Sequence, residues 1–275
     1  MRTQRLINRR PERRTGIFLA ALPFVLVLVA YSLGSDARLA ENPSDKLLPS
    51  FSTIGDAIDR MAFTANKRTG EYLLWVDTAA SLERLFWGLL ISVLGGGFLG
   101  IVTGLLPYMR ASMGTFFSVL SVIPPLAILP ILFIVMGLGE TSKIALIVLG
   151  IAPFLIRDMI IRVQEIPSEL MVKAQTLGAS TWQIAWRVVV PQMMPRLIDG
   201  LRLSLGAAWL FLIAAEAIAS QSGLGYRIFL MRRYLAMDVI LPYVAWITLL
   251  AFFLDWLLLK LQQKAFPWFA ASRSN

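Results

Sequence analysis

The sequence predicts an all-α fold, a polytopic membrane bundle of about six crossing helices. Its 275 residues are 57% hydrophobic and 16% charged, with a mean hydropathy of +0.69, outside the range of soluble globular domains. Apolar runs of about 20 residues, the length a helix needs to cross roughly 30 Å of hydrocarbon, recur along the chain. Short polar segments rich in cap and turn residues separate these runs. With no Cys and no His, disulfides, thiol nucleophiles, thiolate metal sites and imidazole bases are all excluded.

Residues 1–15 form a basic tail carrying Arg2, Arg5, Arg9, Arg10, Arg13 and Arg14, and residues 16–34 form the first transmembrane helix. An Arg-rich start before an apolar run also has the form of a secretory signal. The run is longer than a signal's apolar region of roughly 7 to 15 residues, and Ser35-Asp36-Ala37 is a poor cleavage site, so the segment reads as a retained helix. Residues 35–80 read as an external connector with a short surface helix from Thr53 to Phe63. A core at residues 81–262 follows, with spans from Leu85 to Leu106, Thr115 to Met136, Ile144 to Ile161, Leu201 to Ile218 and Val239 to Leu261. It encloses a polar loop at 162–195, and residues 263–275 form a closing tail.

Six spans place both termini on one side. On that side fall 16 of the 26 Lys and Arg but 5 of the 17 Asp and Glu, which makes it the cytoplasm by the positive-inside rule. The net charge of +9 thus reports membrane orientation, and no nucleic-acid partner is needed to explain it.

Within the spans, Gly95-Gly96-Gly97-Phe98-Leu99-Gly100 satisfies the dinucleotide fingerprint only in letters, because no strand precedes it. Gly96, Gly100 and Gly104 instead share one helical face and allow a second helix to approach closely. Pro124, Pro125 and Pro130 lack amide protons, so the third span must kink or break near Ile123. Backbone freed in a membrane must face protein or a water-filled path, making Ser121, Pro124 and Pro125 candidate pathway residues, with a structural kink as the alternative. No nucleotide-hydrolysis motif occurs in the chain.

Besides Asp158, counted with the cytoplasmic end of its span, two acids lie inside spans. Glu216, near the outer end of the fifth, is a candidate pathway residue, or else a helix-end acid paired with Arg227 or held by backbone amides. Asp255 in the sixth span matches Arg202 in depth, which predicts a structural ion pair. The two acids lie near opposite membrane faces and cannot act together as a catalytic carboxylate pair.

The loop is the best-punctuated polar segment. Pro167 suits a first helical turn, Leu170, Ala174 and Leu177 recur on one face, and Gly178 supplies a left-handed cap. Ser180 and Gln183 form a capping box that starts a second helix, on which Trp182 and Trp186 share a face while Arg187 is available to the polar side. Pro191 is expected to stop that helix. The alternative to a protein-docking role is a helix pair lying on lipid.

This loop resembles the cytoplasmic loop of binding-protein-dependent ABC importer permeases, which reads Glu-Ala-Ala, three residues, Gly, nine residues, then Ile-x-Leu-Pro. Ala174, Gly178 and Pro191 stand at that spacing, followed by Ala179 and Ser180, whereas Val172 and Lys173 replace the leading Glu and Ala. Glu169, one turn earlier, is a substitute for the missing acid. Ser81-x-x-Arg84, Pro124 to Pro130, Gly137 to Glu140, Leu177 to Ser180, Ala214 to Glu216 and Ser222 to Tyr226 are similar to the nitrate, sulfonate, taurine and bicarbonate branch.

That resemblance implies the type I importer permease fold, with both termini in the cytoplasm of a bacterial inner-membrane protein. It implies as partners a second copy of the chain, two ATP-binding subunits, a periplasmic or lipid-anchored substrate-binding protein and membrane lipid. ATP and Mg would be bound by the partner subunits, with no cofactor in this chain. The coupling residues it implies are Glu169, Lys173, Ala174, Gly178, Ala179, Ser180, Trp182, Arg187 and Pro191. The expected substrate is a small polar solute, either an oxyanion or a guanidinium- or urea-like compound. The rival readings are a passive channel and a membrane scaffold without transport.

Overall fold

The computed structural model describes residues 12–273 apart from 44 and 68; most of the basic N-terminal tail lies outside them. All regular structure among the described residues is helical. The spanning helices are α1 (Arg13–Glu41), α3 (Leu73–Leu105), α6 (Glu140–Gln164), α9 (Val190–Ala219) and α11 (Met237–Ala265). Shorter helices are α2 (Phe51–Ile58), α4 (Pro107–Leu120), α5 (Pro125–Met136), α7 (Ser168–Thr176), α8 (Thr181–Ile184), α10 (Leu224–Arg232) and α12 (Pro267–Arg273).

Helix α6 is the axis of the bundle, packed between α3 and α9. Its Leu146, Ile147, Ile151, Leu155 and Met159 are buried with Ala208, Leu212 and Ala215 of α9 and Tyr243 and Ile247 of α11. The α3–α6 contact is made close by small residues at four-residue spacing, Gly88, Ser92, Gly96, Gly100 and Gly104, all buried. A Cβ at Gly100 would lie 2.5 Å from the Met159 Cβ and 2.9 Å from the Ile156 carbonyl oxygen. At Gly95, on the opposite face, it would meet nothing within 4 Å.

Helix α3 begins at Leu73, twelve residues before the apolar run at Leu85. Sequence places residues 73–80 in the external connector and leaves Ser81 to Arg84 ahead of the first apolar run of the core, because Asp77, Ser81 and Arg84 are polar. In the fold these side chains are buried with hydrogen-bonding partners, and burial with partners removes the cost of placing them inside. Helix α1 likewise continues past Gly34 to Glu41. Its C-terminal end is tied down where the Tyr31 hydroxyl donates to the Pro49 carbonyl (2.7 Å) and Ser35 Oγ donates to that of Leu48 (2.9 Å).

The third span is not one helix. Helices α4 and α5 meet at Val122, Ile123 and Pro124 with a bend of 93°. At 1.5 Å per residue they are about 21 and 18 Å long, so neither crosses the membrane alone. Pro124 caps α5 in an extended conformation and Pro125 is its first residue, placed where a missing amide proton costs nothing.

Candidate functional site

The loop joining α6 to α9 is held by a small core of its own. Val163, Ile166, Ile184, Val189 and Met193 are buried together, with Met171, Ala174, Ala179 and Val188 of the loop and Ile101 and Leu105 of α3 packed against them. Gly178 has φ +81°, and a Cβ there would meet nothing, so glycine is required by backbone angle and not by space. The Gly178 amide donates to the Gln175 carbonyl (2.9 Å) and that of Ala179 to the Ala174 carbonyl (3.0 Å), closing α7. Ser180 Oγ accepts from the Gln183 amide (3.3 Å) while Gln183 Oε1 accepts from the Ser180 amide (2.8 Å), so both halves of the capping box are made.

Two expectations for this loop are corrected. Pro191 does not stop the helix: a π turn at Ala185–Val189 links α8 to α9, and Pro191 sits in the first turn of α9. The widened turn absorbs the missing donor, and Thr181 to Ala219 runs as a single 39-residue element. Nor does α7 carry all of Leu170, Ala174 and Leu177 on one face, because it ends at Thr176. Ala174 packs inward, but Leu177 stands just past the end of α7 and is 88% exposed.

Leu177 therefore joins Val172, Trp182 and Trp186 among the exposed apolar side chains of the loop, and the two indoles meet edge to face at 5.6 Å. Trp182 is 70% exposed. Glu169, Lys173 and Arg187 are exposed on the same loop, and Pro191 is half-buried. Large apolar side chains held outward on a tightly capped scaffold form a surface suited to a protein partner.

At the other end of α3 lies a buried charge cluster. Glu216 is 0% exposed, so it lines no open path within this chain, and its partner is Arg84, not Arg227. Arg84 donates to Glu216 (2.7 Å) and to the Ser222 carbonyl (2.8 Å), and it also pairs with Glu140. Ser81 donates to both Glu216 oxygens (2.8 and 3.0 Å), and the Gly225 amide donates to the second (2.8 Å). Glu140 further accepts from Lys143 (2.8 Å).

Beside them, Asp77 accepts from Arg227 (2.7 Å), the Tyr243 hydroxyl (3.1 Å) and the Gly223 amide (2.9 Å). Gly223 has φ +125°, and a Cβ there would lie 2.5 Å from the Glu216 carboxyl group, so the turn into α10 closes over the cluster only with glycine. Sequence alone does not mark Asp77, Arg84, Glu140, Arg227 and Tyr243 as site residues. Their signal was the scattered motifs: Ser81-x-x-Arg84, Gly137 to Glu140, Ala214 to Glu216 and Ser222 to Tyr226 meet here in space. The cluster clamps α3, α6, α9, α10 and α11 together at one end of the bundle.

Arg202 and Asp255 are brought together, with Nε–Oδ1 at 2.8 Å and Nη2–Oδ2 at 2.9 Å. Of the pathway candidates on the α4–α5 break, Pro124 is exposed and Ser121 and Pro125 are half-buried. The break borders an open groove whose lining includes Thr115, Ser118, Val122, Ile123 and Arg157.

The sequence pattern of the family described as binding-protein-dependent transport system inner membrane component matches residues 93–266. The chain belongs to this family. As a permease it is 40% identical over 195 residues to the taurine transport system permease protein TauC of Escherichia coli, covering 71% of each chain. It is 30% identical over 214 residues to the nitrate import permease protein NrtB of Leptolyngbya laminosa, covering 78% of this chain and 74% of that one. Among solved structures, the permease is similar to an inward-facing MetNI methionine ABC transporter, with TM-score 0.56 and 20% identity over 70% of this chain and 93% of that one. It is thus an ABC transporter permease of the type I fold and a multi-pass protein of the inner membrane.

Proposed function

We propose that the permease forms the substrate pathway of an ATP-driven importer for small oxyanions of the taurine, sulfonate or nitrate kind, and that the Gly178 loop couples it to separate ATP-binding subunits. The observation that carries the coupling is the loop itself: Trp182, Trp186 and Leu177 project outward from a segment capped at Gly178 and Ser180 and packed against the end of α3. A chain with no phosphate loop must receive its free energy through contact, and a rigid element seated in a motor subunit transmits movement where a flexible one would yield.

ATP and Mg belong to the partner subunits in this reading, and a second copy of the permease completes the pathway. A soluble binding protein delivers the substrate from outside. The names of the similar permeases support the oxyanion class. A guanidinium-like substrate would call for an acid facing the pathway, a role that a buried, Arg84-paired Glu216 does not fill.

The test is Trp182→Ala in the complete complex reconstituted with its ATP-binding subunits and binding protein. Uptake is expected to fall about tenfold or more, the scale of losing an interfacial anchor, while the permease still inserts and ATP hydrolysis no longer responds to the loaded binding protein. Undiminished, binding-protein-stimulated uptake would remove the coupling role, and uptake without ATP would favour a channel.

A further inference from the structure

We propose that Arg157 is the anion-contacting residue of the substrate pathway, binding the oxyanion head of the substrate in the groove beside the α4–α5 break. This rests on the import of small oxyanions proposed above and assigns the contact to one side chain.

Arg157 lies on α6 seven residues before its end, about 10 Å inside the helix at 1.5 Å per residue. It also falls within the apolar run Ile144 to Ile161, where a guanidinium needs carboxylates, other acceptors or water. Other arginines of α6 and α9 have carboxylates: Arg162 pairs with Asp158 at 2.7 Å, Arg196 with Glu165 at 2.6 Å and Arg202 with Asp255 at 2.8 Å. Arg157 has none among the described residues. The adjacent acid, Asp158, is committed to Arg162.

The contact the structure gives the Arg157 guanidinium is a long hydrogen bond, 3.5 Å, to Ser121 Oγ. Its five N–H donors form a planar fork that matches an oxyanion, and here they stand almost unused. The Ser121 and Ser118 hydroxyls donate to the Ser118 and Gly114 carbonyls, so the guanidinium is the charged donor of the groove, with the Thr115 hydroxyl beside it.

The groove has a volume of about 490 Å³, and no Asp or Glu lines it. Of its other lining residues, Val119, Val122 and Ile123 are apolar and exposed, beside the hydroxyl-bearing Thr115 and Ser118. A cation beside a short aliphatic patch suits a small anion with an organic tail, such as an alkanesulfonate, and disfavours a cation. The groove exists because Pro124 and Pro125 turn α5 away by 93°, so the break that interrupts the span also uncovers Arg157.

The same fork would hold a lipid phosphate, and the test separates the two sources. The full complex with Arg157→Gln, Arg157→Lys or no substitution is reconstituted into phosphatidylcholine vesicles with and without phosphatidylglycerol. Uptake of taurine, ethanesulfonate and nitrate is then measured.

Arg157→Gln is expected to lower uptake about tenfold or more, as for loss of a charge-assisted hydrogen bond, equally in both vesicle types, with Arg157→Lys retaining the larger share. Copurification with the ATP-binding subunits should be unchanged. Uptake by Arg157→Gln equal to the unsubstituted complex overturns the inference, and so does a defect confined to vesicles containing phosphatidylglycerol.

If Arg157→Gln does not assemble, Val119→Trp decides: filling the groove should impair ethanesulfonate more than nitrate, and an equal rate for both with the unsubstituted complex overturns the assignment. An unsubstituted complex that takes up none of the three anions overturns the proposed function together with this inference. Uptake unaffected by loss of Arg157 overturns the inference alone.

Discussion

Glu216 and Arg84 show how a buried charge is tolerated in this chain. Both are nearly inaccessible, and together they are met by Ser81, Glu140, the Ser222 carbonyl and the Gly225 amide. Removing one member of such a pair strands the other, at a cost of about 3 to 5 kcal/mol. Glu216→Ala should fall near the lower figure, because Arg84 keeps Glu140, and the loss should appear as a lower unfolding midpoint of the detergent-solubilised protein. Glu83→Ala, an exposed acid next to Arg84 in the chain, is the control and should change stability by less than about 0.5 kcal/mol. A midpoint for Glu216→Ala equal to the control would mean that the cluster does not hold the helices together. An acid inside an apolar run is visible in sequence, so Glu216 was found; its partner lies 132 residues away, and spacing along the chain carries no information about that. Arg202 and Asp255 could be matched because each lies at a countable depth from the same membrane face, and rise per residue converts count into height.

Among the elements, the glycine ladder of α3 makes the sharpest case. Gly100→Ala places a methyl group against the Met159 Cβ and the Ile156 carbonyl, neither of which can swing away, and overpacking of this kind costs about 1 to 3 kcal/mol. Gly95→Ala, five residues earlier and facing open space, should be neutral or stabilising by up to about 1 kcal/mol, since alanine is the better helix former. Thermal unfolding of the two variants in one detergent checks the contrast, and equal midpoints would show that the α3–α6 approach is looser than described. The four-residue repeat made this face legible. Helix ends were less so: Asp77 to Arg84 reads as loop when scanned for hydrophobicity, because a scan cannot know that Arg227, Tyr243 and Glu216 await those polar groups. Pro191 looks like a helix stop for a related reason, as the π turn before it has no compositional signature.

For the whole molecule, the distribution of Lys and Arg predicts which side of the membrane each end occupies. The absence of Cys allows this to be read directly with single introduced thiols. Thr69→Cys, in the exposed segment before α3, should react with a membrane-impermeant maleimide in spheroplasts, whereas Thr176→Cys, at the end of α7, should react only after permeabilisation. The opposite pattern would invert the topology and put the Gly178 loop out of reach of cytoplasmic motor subunits. Sequence by itself determined the helical membrane class, the number of apolar runs, the break at Pro124-Pro125 and the two-helix loop around Gly178. These follow from hydrophobic length, missing amide protons and cap chemistry, which act over a few residues. Only the tertiary structure decided that four scattered motifs converge on one buried cluster, that Glu216 is spent on Arg84, and that Arg157 faces an open groove without a carboxylate. A charge inside a membrane is defined by what lies across from it, and that neighbour is set by how distant helices pack.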